Sequence, residues 1–153
     1  MQTNVMMKKA GLLAIGAAAI LLGACVSAAP KGAGVGAQKI LPAQARQFVN
    51  INPAIRMAAA YGDRSVGMHG SFGKFPGQFE TPFHTHTGAY HGIVIRGQMT
   101  NPFANGGSAK VMGPGSYWFV PANAAHQTAC VSIEPCEFYF YADSAFDFTP
   151  VSK

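Results

Sequence analysis

Residues 82–91 (PFHTHTGAYH) and 115–126 (GSYWFVPANAAH) decide the fold of this chain, because together they hold four of its five histidines. Successive side chains of a β-strand point to opposite faces, so two residues that are two positions apart share a face. The side chains of His84 and His86 can therefore reach one point in space, and those of His91 and His126 can join them. A small β-barrel that gathers several imidazoles in this way can hold a metal ion.

The composition favours an all-β domain. The chain has 153 residues, of which 49% are hydrophobic, so it is about the length of one domain and can bury a core of ordinary size. Few residues are charged (11%), whereas glycine (18) and proline (10) are abundant, which suits short strands joined by tight turns. Strand candidates recur at a spacing typical of a sandwich or barrel, over residues 55–61, 66–72, 79–86, 91–99, 116–120, 126–132 and 136–141.

The N-terminus has the three parts of an export signal. Lys8 and Lys9 precede an apolar run over residues 10–22, and small residues follow. The run is too short to span a bilayer comfortably, and it lacks the amphipathic pattern and C-terminal cap of a buried core helix. Two cleavage sites compete: residues 26–28 (VSA) resemble a signal-peptidase site, and residues 22–25 (LGAC) resemble the lipobox of bacterial lipoproteins.

These observations divide the chain into three segments. We predict an export signal over residues 1–28, a flexible linker rich in alanine and glycine over residues 29–39, and a barrel domain over residues 40–150. If the lipobox is used, cleavage precedes Cys25 and a lipid on this cysteine tethers the protein to a membrane. The sequence thus predicts an exported protein, either free in the periplasm or attached to the outer membrane as a lipoprotein.

The charge of the chain argues against a nucleic-acid partner. The formal net charge is +5, but removal of Lys8 and Lys9 with the export signal leaves 9 basic against 6 acidic residues, a net charge of about +3. These charges are scattered, whereas proteins that bind nucleic acids carry clustered basic patches or stripes. We therefore expect a small-molecule ligand or substrate and no nucleic acid.

The predicted export bears on Cys130 and Cys136, because disulfides persist outside the cytosol. Residues 131–135 (VSIEP) can form a hairpin connection whose flanking strands bring the two sulfurs together. We predict a disulfide. Two alternatives are open: two small buried hydrophobic residues, or a free Cys130 thiol near the metal.

The histidine-rich segment resembles the first motif of the cupin superfamily. In that motif two histidines and a glutamate precede a glycine, and this chain has His84-x-His86-x4-His91 followed by Gly97. His91 takes the position of the glutamate, and Gly97 follows it one residue sooner than the usual spacing. Imidazole can coordinate a metal from that position too.

The second segment resembles the second cupin motif. It reads Gly115-x5-Pro121-x-Asn123-x2-His126, with Asn123 where glycine is common and Cys130 at the position of the motif's final asparagine. The resemblance covers about residues 55–148. The phrases GSYW (115–118) and FDF (146–148) are similar to a little-characterised subgroup of exported bacterial single-domain cupins.

The resemblance implies a single-domain, all-β, antiparallel jelly-roll barrel that binds a divalent transition metal (Fe, Mn, Ni, Cu or Zn). The expected ligands are His84, His86 and His126, with His91 as the fourth. Cupin barrels associate through their outer sheets, so a homodimer is also expected. The alternative is a barrel that the four histidines fill without a metal.

Glu80 is the candidate catalytic residue. It lies four positions before His84 and shares its face if one strand is continuous, so its carboxylate could enter the cavity as a base or an extra ligand. Pro82 lies between the two residues and interrupts a regular strand. An exposed carboxylate at a strand end is the alternative.

Three functions fit the sequence. The first is a metal-dependent enzyme of dioxygenase or isomerase type; because His91 replaces a carboxylate, the metal keeps its full charge and favours an anionic or chelating guest. The second is a non-catalytic envelope protein that binds a small ligand or metal. In the third, the metal only stabilises a small barrel.

Overall fold

The computed structural model describes residues 38–106 and 109–152, so the predicted export signal and nearly all of the predicted linker lie outside the described residues. No helix in the described ranges has the length and apolar character needed to cross a membrane. These ranges contain one short 3₁₀ helix, Ala43–Ala45, and eleven strands. The strands are β1 (Val49–Asn50), β2 (Arg56–Gly62), β3 (His69–Phe75), β4 (Phe79–Glu80), β5 (His84–Thr85), β6 (Tyr90–Arg96), β7 (Met99–Thr100), β8 (Tyr117–Val120), β9 (Ala129–Cys130), β10 (Cys136–Ala142) and β11 (Thr149–Pro150).

The strands form three antiparallel sheets. The largest has six strands in the order β1-β2-β3-β10-β6-β8, the second has the order β4-β9-β7, and the third pairs β11 with β5. Strands that are distant in the chain lie side by side, as β10 does between β3 and β6. The predicted all-β class with antiparallel pairing is confirmed.

Alternation along the central strands separates the core from the outer face. In β10, Phe138 and Phe140 are buried, whereas Tyr139 and Tyr141, which alternate with them, are partly exposed. Strand β6 follows the same rule, because Tyr90, Gly92 and Val94 are buried while the residues between them are not. This parity determines which side chains of β6 can reach the interior.

Two backbone features fix the chain beside the site. Gly92 of β6 lies opposite Trp118 of β8, and a Cβ added at Gly92 would lie 2.1 Å from the Trp118 ring, so the ring lies flat against a position that only glycine can fill. After β8 the chain turns through Asn123, which has a φ of 60°. Asparagine tolerates this left-handed conformation better than most residues, which explains its place where the cupin motif has glycine.

A disulfide joins two of the sheets. Cys130 lies in β9 and Cys136 in β10, and their Cα atoms are 5.7 Å apart across the bridge. Both residues are buried, at 1% and 0% exposure. The predicted disulfide is confirmed, and the alternative of a free Cys130 thiol beside the metal is wrong.

Candidate metal centre

Three of the four predicted ligands lie together inside the barrel. His84 is in β5, His86 follows that strand directly, and His126 precedes β9; their exposed fractions are 3%, 3% and 0%. Two main-chain hydrogen bonds of 2.9 Å, from His84 N to His126 O and from His126 N to His84 O, hold the two segments side by side. One ligand atom from each of the three residues lies within 4.8 Å of the others. These residues form the histidine cluster.

Main-chain carbonyls orient all three imidazoles. A carbonyl oxygen only accepts hydrogen bonds, so the ring nitrogen facing it carries the hydrogen, and the other nitrogen keeps its lone pair. The three Nδ1 atoms donate to carbonyls at distances of 2.5–2.9 Å, those of Pro82 for His84, Asp147 for His86 and Ala124 for His126. All three Nε2 atoms therefore carry no hydrogen and keep a lone pair.

Burial keeps the cluster uncharged at neutral pH. It lowers the pKa of His84 and of His86 to about 4, and it also lowers the pKa of His126. The Nε2 atoms of His84 and His86 lie 3.1 Å apart. Two neutral nitrogens at this distance turn lone pairs toward each other with no hydrogen between them, an arrangement that a bound cation relieves. The donor set thus fits a divalent transition metal.

Tyr90 lies beside the cluster, at the place where His91 was predicted as the fourth ligand. Its side chain is 3% exposed, and its hydroxyl lies 3.1 Å from Nε2 of His126. The amide of Asn101 also lies 3.1 Å from this hydroxyl. Burial raises the pKa of Tyr90, so the phenol stays neutral. A signal for this residue exists in the sequence, because moving the glutamate position from His91 to Tyr90 restores the usual spacing to Gly97.

His91 lies on the outer face of the six-stranded sheet and does not join the cluster. Its Nδ1 lies 2.6 Å from the hydroxyl of Tyr117, and its ring packs against those of Phe119 and Tyr141. Strand β6 is regular here, so the side chain that follows the inward Tyr90 must point outward. The prediction of His91 as the fourth ligand is corrected on this ground.

The side chain of Glu80 also points away from the cluster. It is exposed in β4, whereas its neighbours Phe79 and Thr81 point toward the interior. The chain leaves the strand at Pro82 and bends before β5, so Thr81 and His84, three residues apart, both point inward. The alternation that would have given Glu80 and His84 a common face is broken, and the structure favours the exposed strand-end alternative over a catalytic carboxylate in the cavity.

The C-terminal strap, residues 146–150, covers the cluster and was not anticipated as part of the site. Phe146 stacks on the ring of His86 with centroids 4.0 Å apart, and Phe148 stacks on that of His84 at 4.1 Å. Strand β11 at the end of the strap pairs with β5, which carries His84. The sequence contains the motif FDF (146–148), but no spacing or periodicity indicates that this segment folds back over the histidines.

Two adjoining cavities lie on one side of the strap, and the inner one reaches the cluster. The inner one, of about 50 Å³, is lined by His84, His86, Tyr90 and aromatic core residues, and has room for an ion and a few further atoms. The outer one, of about 400 Å³, shares five lining residues with it, Ile55, Met57, Thr81, Phe146 and Phe148. A molecule larger than a few atoms that reaches the cluster must therefore extend into the outer cavity.

Comparisons with known proteins agree with this architecture. Residues 27–153 match a family described as Domain of unknown function (DUF4437). Among curated proteins, none matches the chain.

Solved structures share the fold at low identity. The polyketide cyclase RemF from Streptomyces resistomycificus is 16% identical to this chain, with a TM-score of 0.65 over 76% of this chain and 87% of that one. A cupin-2 domain from Rhodospirillum rubrum is 10% identical, with a TM-score of 0.61 over 76% and 82%. A salicylate 1,2-dioxygenase from Pseudoaminobacter salicylatoxidans, in complex with gentisate, is 14% identical, with a TM-score of 0.52 over 61% and 26%. The cupin jelly roll predicted from the two motifs is thus confirmed.

Proposed function

Because this chain belongs to the family described as Domain of unknown function (DUF4437) and has the cupin fold, we propose that it is a metal-dependent enzyme acting on a small anionic or chelating molecule. The observation that carries the proposal is the convergence of three buried imidazoles, each with an Nε2 atom that carries no hydrogen. Fe, Mn, Ni, Cu and Zn all accept imidazole ligands, so any of them is a candidate. The adjoining cavity provides space for a substrate.

The charge of the site supports an anionic guest. His84, His86 and His126 are neutral ligands, Tyr90 is a neutral phenol, and the cluster that the described residues form contains no carboxylate. A divalent ion would keep its full positive charge there and, when bound, would polarise a coordinated oxygen atom as a Lewis acid. From the sequence, we expect a full metal charge because His91 replaces the glutamate of the motif. The same reason applies to Tyr90, which occupies the glutamate position in the structure.

Tyr90 has a second acceptor for its hydroxyl hydrogen. Besides Nε2 of His126, the side-chain oxygen of Asn101 lies 3.1 Å from the hydroxyl when the amide is turned so that its oxygen also accepts from Nε1 of Trp118 at 3.0 Å. When the lone pair of His126 is engaged by a cation, Tyr90 can donate to Asn101 without moving. Its own oxygen lone pair then points toward the cluster and can accept a hydrogen bond from a substrate.

The reaction type we propose is that of a dioxygenase or an isomerase. Structures of this fold include a cyclase and a dioxygenase, whose chemistry belongs to those proteins. In this chain Tyr90 is the hydroxyl nearest to the ligand atoms, at 3.1 Å from His126. It can position an oxygen of the substrate beside the cluster.

A non-catalytic envelope protein that binds a small ligand or metal is the second candidate. The stacking of Phe146 on His86 and of Phe148 on His84 favours it, because a covered cluster suits retention better than turnover. Oxygen consumption and product formation with candidate substrates, measured with Fe(II), Mn(II) and Ni(II), separate the two. Tight binding without turnover would support the second candidate.

We also propose that the protein is exported to the periplasm or anchored to the outer membrane through Cys25. The disulfide between Cys130 and Cys136 supports an oxidising compartment. The intact mass of the mature protein after cell fractionation distinguishes cleavage before Cys25 with lipid attached from cleavage after residue 28. An unprocessed cytoplasmic chain would contradict export.

A homodimer is proposed on the exposed outer face of the large sheet. Ile93, Tyr117 and Phe119 are 44%, 57% and 44% exposed there. Light scattering after size exclusion measures the association, and substitution of Phe119 by serine should weaken it. A monomer at all concentrations would contradict this proposal.

Elemental analysis of untagged protein tests the metal site directly. We expect about one equivalent of transition metal in the wild type and in His91→Ala, and loss of the metal in His84→Ala and His126→Ala, since each removes one of the three converging nitrogens. His91→Ala is the matched control, because it removes an imidazole from the outer face. Unchanged stoichiometric metal in both cluster variants would defeat the proposal.

A further inference from the structure

The outer cavity contains a cation that the metal site does not use. Apart from the strap, its walls are mostly apolar, from Ile51, Ile55, Met57 and Phe79, and among them lies the half-buried Arg64. At about 400 Å³ the cavity falls within the size range of small-molecule sites. An apolar wall with a few convergent polar or charged groups is the usual composition of such sites, and here Arg64 and Asp147 both line the cavity.

Both carboxylates near Arg64 are engaged elsewhere. The carboxylate of Asp63 accepts hydrogen bonds from the main-chain N and hydroxyl of Ser65, at 2.9 and 2.6 Å. That of Asp147 accepts from the main-chain N and hydroxyl of Thr87, at 2.8 and 2.6 Å. Among the residues that the structure describes, no ion pair within 4.0 Å involves Arg64. Its guanidinium is thus available to a ligand.

The main chain holds Arg64 at the edge of the strap. Its carbonyl oxygen accepts a hydrogen bond of 2.7 Å from the main-chain N of Phe146, the residue whose ring stacks on His86. The main chain at Arg64 is therefore fixed next to Phe146, one of the two aromatic strap residues that line both cavities. Because the anchor is a main-chain bond, a substitution of the side chain leaves it in place.

We propose that Arg64 binds the carboxylate of a ligand whose apolar body fills the outer cavity. A guanidinium pairs with a carboxylate through two parallel charge-assisted hydrogen bonds, which gives orientation as well as affinity. The apolar body lies against Ile51, Ile55 and Phe79, and its far end points toward the inner cavity. Identification of this ligand as the substrate rests on the proposed function, whereas the binding site itself does not.

The chemical class follows from the two volumes. The inner cavity of about 50 Å³ admits a few atoms beside an ion, and the outer cavity of about 400 Å³ lies in the size range of small-molecule sites, so the body of the ligand occupies the outer cavity. The ligand is therefore an amphipathic monocarboxylate of medium size, such as an aryl-substituted short-chain acid. A sugar or a nucleotide would leave its hydroxyl groups unpaired against apolar walls.

Calorimetric titration of the full chain with 4-phenylbutyrate and with 4-phenylbutan-1-ol tests the site. The alcohol has the same apolar body without the charge. We expect the wild type to bind the acid at least about tenfold more tightly than the alcohol, because a charge-assisted pair is worth more than a neutral contact. Arg64→Gln should lose this preference, Arg64→Lys should keep part of it, and Arg96→Gln, which removes an exposed cation outside the cavity, should keep all of it.

The same titration in His84→Ala separates this inference from the proposed function. If the acid binds His84→Ala with undiminished preference that depends on Arg64, the carboxylate site is real whether or not the protein binds a metal. If the wild type does not prefer the acid, or if Arg64→Gln keeps the preference, the inference is overturned. A preference that disappears in His84→Ala overturns it as well, because the metal rather than Arg64 would then bind the carboxylate.

Discussion

Tyr90 and His91 are neighbours in β6, yet they occupy opposite environments. Tyr90 is buried beside His126, and His91 is partly exposed among Tyr117, Phe119 and Tyr141. The histidine that looks like a ligand in the sequence lies outside the barrel, and the tyrosine that looks like a core residue lies at the site. Strand parity, rather than residue type, decides which side chain can serve the metal.

The three cluster histidines share a protonation state that suits metal binding. Burial lowers the pKa of His84, His86 and His126, so their rings are neutral at pH 7 and can bind a cation. The ring of His91 instead contacts the hydroxyl of Tyr117 and the ring of Phe119 on the outer face. Experiments that compare the histidine cluster with His91 therefore test the assignment most directly.

The largest difference is expected in stabilisation by metal. Metal added at about 100 times its Kd should raise the free energy of unfolding of the wild type and of His91→Ala by about 2.7 kcal/mol, since the ion binds only the folded chain. His84→Ala should show almost none of this increase. Thermal or chemical unfolding with and without Zn²⁺ or Ni²⁺ measures it, and equal stabilisation of all three proteins would contradict the cluster assignment.

The pH dependence of stability is expected to distinguish the two regions next. The folded-state pKa of His84 and of His86 is about 4, against 6.5 for an ordinary histidine. As pH falls from 6.5, the unfolded chain takes up protons that the folded chain does not accept until about pH 4. The contribution of these two residues to the free energy of unfolding is therefore highest above pH 6.5, and it decreases from there down to about pH 4.

Chemical denaturation of metal-free protein at pH 7.5, 6.0 and 4.5 measures this decrease. The decrease should be smaller in His84→Ala, which has one buried imidazole fewer. A free energy of unfolding that stays constant over this range in the wild type would contradict the lowered pKa values.

Tyr90→Phe should destabilise the fold by about 1–3 kcal/mol, because Asn101 and His126 lose a buried hydrogen-bond partner. Tyr117→Phe removes the hydroxyl that contacts His91 on the outer face and should change stability by at most about 0.5 kcal/mol. Urea denaturation of the two variants compares the faces of the sheet with the same chemical change. Similar costs for both would show that the Tyr90 hydroxyl has no special environment.

The smallest effect is expected for Glu80→Gln. Its side chain is exposed, so metal content should not change and stability should change by at most about 0.5 kcal/mol. If the proposed enzyme activity is found, its rate should also be unchanged. A large loss of rate with intact metal content would restore Glu80 as a catalytic residue.

The sequence predicted the part of the site that local periodicity controls. Strand alternation predicted a common face for His84 and His86, which are two residues apart, and the resemblance to the second cupin motif implied that His126 lies beside them. The all-β class followed from composition and turn residues for the same reason. These signals depend on neighbours in the chain.

The rest depends on contacts that periodicity does not carry. The bend at Pro82 changes the parity between Glu80 and His84, and no alternation rule predicts how far such a bend shifts the register. Phe146 and Phe148 reach the imidazoles from about sixty residues away, through pairing of β11 with β5. The short interval from His91 to Gly97 already indicated that Tyr90 takes the glutamate position. It was overlooked because histidine is a common metal ligand and tyrosine is a common core residue.

The acceptors that orient the three imidazoles are the main-chain carbonyls of Pro82, Ala124 and Asp147. A point mutation at any of these positions exchanges a side chain and leaves the acceptor in the chain. The tautomer of each ligand thus depends on the position of the backbone, and it does not change when the residue at the acceptor position is substituted. Insertions and deletions in these three loops are the changes to which the centre is vulnerable, so conserved loop length should mark a functional site in distant relatives better than conserved residues.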